Sequence, residues 1–128
     1  MKKLTLSKQN IDSIDKKIGV YQIWACDSNC NPITINRFCG IDNNGLLYIG
    51  CTIKQNLRKR LNQFYSSTIN ANNHAGGLKY QNRLIIKKYL KKDSLWFSFI
   101  ITKNPKEKEA ELLIKYINKF GEYPPLNK

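Results

Sequence analysis

Apolar and polar residues along this chain follow two different periods. Gly19-Val-Tyr-Gln-Ile-Trp-Ala25 is rich in β-branched and aromatic side chains, which predicts a strand. A second run, Leu46-Leu-Tyr-Ile-Gly50, follows the turn signal Asn43-Asn44-Gly45, so the two runs read as a hairpin. Their connection, residues 26–44, is long and broken by Asn, Asp, Pro and Gly, and no element is expected in it. From Asn56 the spacing becomes helical, with Leu57, Leu61 and Phe64 on one stripe and Arg58, Lys59 and Arg60 among them. A polar link over 66–77 leads to a second basic helix over 78–91, and residues 94–102 predict a third strand.

Asn104-Pro105 opens a last helix, with Asn at the N-cap, Pro at the first position and Glu107 where a capping-box acid belongs. Its apolar stripe is Ala110, Leu113, Ile114, Ile117 and Phe120, and Gly121 can end it. Residues 1–18 are polar, with Ile11, Ile14 and Ile18 at helix-like intervals. They read as a leader or short helix lying on a domain of residues 19–128. The order ββααβα predicts an α+β fold: a small three-stranded antiparallel sheet flanked by helices.

The chain has 128 residues, enough for one domain, and 41% of them are hydrophobic. No apolar run approaches the ~18–20 residues of a membrane span, and the start turns polar at once, so a cytoplasmic protein without membrane contact is expected. Charge changes the picture more. Lys and Arg number 22 against nine acids, a formal net charge of +13. Part of that excess is a Lys and Asn bias of the kind AT-rich genomes impose. The rest suits nucleic acid, because each neutralised phosphate releases counterions.

Four cysteines, Cys26, Cys30, Cys39 and Cys51, lack the paired spacing of zinc ribbons or thioredoxin-like motifs, and reduced thiols are expected. The single histidine, His74, excludes two-His metal motifs, and there is no Walker loop or Gly-x-Ser-x-Gly elbow. Acids cluster only on the last helix, which leaves too few for a two-metal carboxylate centre. A phosphodiesterase on this chain must work with about one carboxylate plus neutral and cationic groups.

What remains forms a pattern. Gly19-Val20-Tyr21 and Tyr48-Ile49-Gly50 are followed by Asn56-Leu-Arg-Lys-Arg-Leu61, by an acid on the last helix, and by Pro124-Pro125-Leu126-Asn127. These five elements, in this order from residue 19 to 127, resemble the GIY-YIG nucleases. The resemblance implies a GIY-YIG-like fold and a metal-dependent DNA endonuclease. It implies that Tyr21 and Tyr48 face one catalytic surface, an Arg binds phosphate, a Glu holds the metal and Asn127 braces the site.

By the resemblance, the family's usual spacing from Tyr48 implies Arg58, whereas the apolar residue that typically follows the family's Arg implies Arg60, which is preferred. Arg58 is then a phosphate-contacting or solvated neighbour. Phe64 stands where many members carry His or Tyr, with Tyr65 beside it, and His74 is a candidate to compensate. Among the acids, Glu107 is taken by capping, Glu111 points to solvent and pairs with Lys115, and Glu109 faces the sheet as the metal ligand.

The expected chemistry is hydrolysis at one Mg²⁺ (or Mn²⁺) per site. Tyr21 takes the proton of the attacking water, helped by Tyr48, and nearby cations lower the phenol pKa. Arg60 stabilises charge on phosphorus. DNA, expected double-stranded, meets Lys54, Arg58, Lys59, Lys79, Arg83, Lys87 and Lys88. Cutting both strands with one centre calls for a homodimer or successive nicks, and the 26–44 insertion is the natural source of selectivity or a dimer contact. A catalytically inactive nucleic-acid-binding domain of the same fold is the alternative.

Overall fold

The computed structural model describes residues 2–27, 29–70 and 94–127. The elements are β1 (Leu4–Thr5), α1 (Lys8–Asp12), β2 (Gly19–Ala25), β3 (Ile35–Arg37), β4 (Gly40–Asp42), β5 (Leu46–Cys51), α2 (Leu57–Asn70), β6 (Leu95–Ile101) and α3 (Pro105–Phe120). The fold is α+β. Among the described residues the strands make a four-stranded antiparallel sheet in the order β1-β6-β2-β5, plus a small β3–β4 sheet.

The expected three strands thus gain a fourth. Leu4 and Thr5 pair with Phe97 and Trp96, and two residues are too short to show an alternating pattern. The segment from Leu4 to Ile14 also joins the core, because Leu6, Ile11 and Ile14 are buried against the sheet. Ser7 caps α1 by accepting from the Asn10 N–H at 3.2 Å.

Helices cover both sheet faces. Tyr21, Ile23 and Ala25 of β2 and Leu95 and Phe97 of β6 point to the side covered by α1 and α2. Val20, Leu46 and Ile49 point to the side where α3 packs through Tyr116 and Phe120. A bulge between Ile23 and Trp24 lets Leu46 face α3 while Leu47 joins the α2 side beside Tyr48. The fully buried Leu57, Leu61 and Phe64 bring α2 onto the sheet. At ~1.5–3 kcal/mol each they contribute about 5–9 kcal/mol, before ordering entropy. Asn56 caps α2 by accepting from the Lys59 N–H at 2.8 Å.

Several local expectations are corrected. Helix α2 continues to Asn70, so residues 66–70 are helical rather than a link, and Ser67 and Thr68 are buried. On α3 the inner face runs through Glu109, Leu112, Leu113, Tyr116 and Phe120, while Ala110 and Ile114 are exposed. Asn104 occupies the N-cap but makes no side-chain cap bond. Glu111 pairs with Lys108 at 3.5 Å, one turn back, rather than with Lys115. Gly121 ends α3 in the left-handed conformation at φ 77°.

The 26–44 insertion holds the β3–β4 hairpin, which the irregular sequence does not announce. It is tied to the end of α3. Arg37 pairs with Glu122 at 3.3 Å, and the Phe38 N–H donates to Glu122 Oε2 at 2.7 Å. At its base, buried Asp42 accepts from the Asn44 and Leu46 N–H groups and from the Tyr116 hydroxyl at 2.9 Å. Burial and this carboxylate push the Tyr116 phenol pKa up. The predicted helix over 78–91 lies outside the described residues.

Candidate active site

The β2–β5 register sets Tyr21 opposite Gly50 and Ile23 opposite Tyr48. Tyr21 and Tyr48 are therefore diagonal neighbours on one face, their ring centroids 6.0 Å apart and tilted by 39°. The glycines of the two triplets have separate reasons. A Cβ at Gly19 would overlap the Ile100 carbonyl oxygen of the neighbouring strand. A Cβ at Gly50 would lie 2.5 Å from both Cζ and Oη of Tyr21. The Tyr21 ring lies across Gly50 because no side chain stands there.

Helix α2 delivers Arg60 to the same place. Arg60 is hydrogen-bonded to the Tyr21 hydroxyl, and Tyr21 in turn to Tyr48. Its Nη1 also donates to Gln63 Oε1 at 2.7 Å. Arg58 does not join them: its Nε donates to the Ile14 carbonyl at 3.0 Å, tying α2 to the segment after α1. Phe64, one turn after Arg60, is fully buried with its ring centroid 6.0 Å from Tyr48. Tyr65 is half-buried.

From the other side of the sheet, α3 brings Glu109. Its carboxylate acts electrostatically on Tyr48 and is hydrogen-bonded to the Cys51 thiol. Tyr21, Tyr48, Arg60, Glu109 and Cys51 thus meet at one end of the β2–β5 pair. Asn127 holds the strand that carries Tyr48. Its Oδ1 accepts from the Ile49 N–H at 3.0 Å and its Nδ2 donates to the Ile49 carbonyl at 2.9 Å. The adjacent Leu126 N–H donates to the Leu47 carbonyl at 2.8 Å.

The electrostatics correct one expectation. Burial raises the Tyr21 pKa well above the ordinary phenol value, Tyr48 adds to the rise, and Arg60 pulls against both. Tyr48 is also raised, chiefly by burial. Desolvation outweighs the single guanidinium, so neither phenol is acidified in the protein alone. Tyr21 is 1% exposed whereas Tyr48 is half-buried, so Tyr48 is the phenol with access to solvent. The Cys51 thiol is pushed up to about 11, first by burial and then by Glu109.

Among the described residues, no three His, Cys, Asp or Glu side chains gather. The donor set at this end is the Glu109 carboxylate beside a protonated thiol. It is too poor for zinc but fits a hard cation that keeps most of its waters, as Mg²⁺ does. The four cysteines are free; Cys26 and Cys30 line one cleft, and Cys51 lies beside Glu109. Lys54 and Lys59 are exposed in the loop before α2 and its first turn. His74, Lys79, Arg83, Lys87 and Lys88 lie outside the described residues.

Sequence reasoning missed Cys51 and Gln63. Gln63, three residues after Arg60 on a helix, was open to the i,i+3 rule. Cys51 carried no signal, since its contact comes from a helix more than fifty residues away. Among the described residues no helix is long and apolar enough to cross a membrane. Comparison with protein-family models, with curated proteins and with solved structures finds no match for the chain.

Proposed function

We propose that the chain is a divalent-metal-dependent endonuclease that hydrolyses DNA phosphodiester bonds, of the GIY-YIG kind its motifs resemble. One observation carries the reading. Tyr21, Tyr48, Arg60 and Glu109, spread over nearly ninety residues, interact at one end of one strand pair. Buried cross-strand packing needs the two rings but neither the guanidinium nor the carboxylate.

Glu109 would hold the Mg²⁺ or Mn²⁺ ion, which when bound supplies positive charge at the nonbridging and leaving oxygens of the phosphate. Arg60 is fixed by Gln63 and Tyr21, so its charge is pre-oriented toward an incoming phosphate. Tyr48 is the phenol that reaches water and the less strongly shifted of the two, so it is the one that would lose its own proton to solvent and then, as phenolate, receive the proton of the attacking water. Tyr21 stands behind it, joining it to Arg60 as a positioning residue. The net charge of +13 draws the polyanion, with exposed Lys54 and Lys59 on the segment that leads to Arg60. One centre per chain cuts one strand at a time, so double-strand breaks require a homodimer or two nicks.

The test is supercoiled plasmid incubated with Mg²⁺ or with chelator. Wild type should nick with the metal and not without it. Glu109→Ala and Arg60→Ala should each lose at least ~10²-fold in rate while binding DNA and keeping the fold. Full activity in Glu109→Ala would overturn the reading. Phe64 in place of a polar group and the raised phenol pKa values favour a second reading, an inactive DNA-binding domain of this fold. Salt-sensitive DNA binding by the wild type, with no cutting of any substrate, would establish it.

A further inference from the structure

Helix α2 brings a second polar side chain to the candidate site. Gln63 lies three residues after Arg60, so the two stand side by side on the helix, both half-buried. Arg60 Nη1 donates to Gln63 Oε1 at 2.7 Å. A guanidinium carries donors only, so the amide oxygen must face it and the amide cannot be turned over. The amide nitrogen is bonded to the same carbon as that oxygen, which sets its two N–H groups next to the guanidinium.

Those two donors are left over by the fold. No acceptor among the described residues takes them. The other amide on this turn, Asn62, spends its Nδ2 on Asp12 Oδ1 at 3.1 Å. Phe64 is fully buried and has no donor to give. The residue type at 63 matters as well. A carboxylate there would hold Arg60 more strongly, through a charge-assisted pair, but would cancel its charge. Among the described residues no carboxylate forms an ion pair with Arg60. Gln63 therefore steers the guanidinium, leaves its charge uncancelled and adds neutral donors beside it.

We infer that Gln63 is a substrate-binding residue of this site, its side-chain amide donating to a nonbridging oxygen of the phosphate that Arg60 meets. The inference rests on the reading of Arg60 as the phosphate ligand. It extends that reading to a pair of donors, one charged and one neutral, on a single turn of α2. An internal phosphodiester has two nonbridging oxygens, each able to accept more than one bond, so it can meet both groups and a cation together. A neutral N–H donated to an ionised oxygen makes the stronger, charge-assisted kind of hydrogen bond.

The test separates donation from steering. The full chain, kept in chelator so that cutting plays no part, is titrated with a short DNA duplex. Fluorescence anisotropy of the labelled duplex reads the affinity, and NMR of the isotope-labelled chain reads the Gln63 side-chain amide protons. Those protons are assigned through their own side-chain carbons, so this readout needs no variant. They should shift saturably as duplex is added. Gln63→Ala should bind about fivefold more weakly, as loss of one hydrogen bond does. The decisive comparison is made in an Arg60→Ala background. A residue that only steers the arginine has nothing left to steer there, and Gln63→Ala would cost no further affinity. A direct donor still loses at least about threefold. Amide protons that stay in place at saturation, no further loss in the Arg60→Ala background, or absence of DNA binding would overturn the assignment. Neither readout needs catalysis. A wild type that binds the duplex but never nicks plasmid therefore sinks the hydrolytic reading alone, with Gln63 decided by the titrations.

Discussion

Gly50→Ala strikes the close approach on which the geometry of the two phenols depends. Gly50 lies in a strand and not at positive φ, so alanine meets no backbone strain there. By itself the change should even stabilise slightly, by ~0.5–1 kcal/mol, through a less flexible unfolded chain. Against that, the new methyl would stand 2.5 Å from Tyr21 Cζ and Oη and 2.8 Å from Tyr48 Cε2. Carbon contacts relax at ~3.5–4.0 Å, so the Tyr21 ring must retreat by about 1 Å.

At 1% exposure the ring has no free space to enter, and overpacking of this kind costs ~1–3 kcal/mol. The net loss should be about 0.5–2.5 kcal/mol in urea unfolding, with ~10²-fold slower plasmid nicking, because a 1 Å misplacement has that effect. In a Tyr21→Leu background Cζ and Oη are gone and only the 2.8 Å approach to Tyr48 Cε2 remains, so Gly50→Ala should cost much less. The coupling energy from the double-mutant cycle should therefore exceed ~1 kcal/mol. Additivity within ~0.5 kcal/mol would refute the argument that the glycine is there for the tyrosine.

Other outcomes follow from the same contacts. Arg58→Ala should lower stability by ~1–2 kcal/mol by freeing the Ile14 carbonyl and leave the nicking rate within a few-fold, whereas Arg60→Ala should do the reverse; paired urea and plasmid assays separate them. Asn127→Ala removes two hydrogen bonds to Ile49 and should cost ~1–3 kcal/mol, read as a lower urea midpoint at unchanged slope. Tyr21, Tyr48, Tyr116 and Cys51 all have raised pKa values in the fold, so above their ordinary values the unfolded chain ionises first. Their contribution to stability should be flat below pH 9 and fall as the pH rises toward 11, the Cys51 window, and beyond. Tyr116→Phe should make that fall shallower, and stability rising with pH in this range would contradict the burial of these groups.

The elements with strong local patterns were legible in the sequence. The strand over Gly19–Ala25 and the helix starts at Leu57 and Pro105 follow from side-chain type, spacing and caps. Elements fixed by distant partners were not. Leu4–Thr5 becomes a strand because β6 offers it an edge, and β3–β4 forms against Glu122 and the Phe120 carbonyl. The convergence of Tyr21, Tyr48, Arg60 and Glu109 was readable from ordered motifs, and the inward turn of Glu109 from helical periodicity. The acidity of the phenols was not, because net charge says nothing about how much water a buried ring loses. Cys51 beside Glu109 was likewise hidden until α3 was packed on β5.

The stitching of residues 126 and 127 onto β5 has a consequence for the molecule among its own kind. That strand is the rim of the sheet, and an open rim offers a row of unpaired amides that a second chain can extend. Here the Leu47 and Ile49 backbone groups are already taken by Leu126 and Asn127. Breaking the contacts of Leu126 and Asn127 would therefore do more than loosen Tyr48: it would uncover a seam along which a second chain could pair.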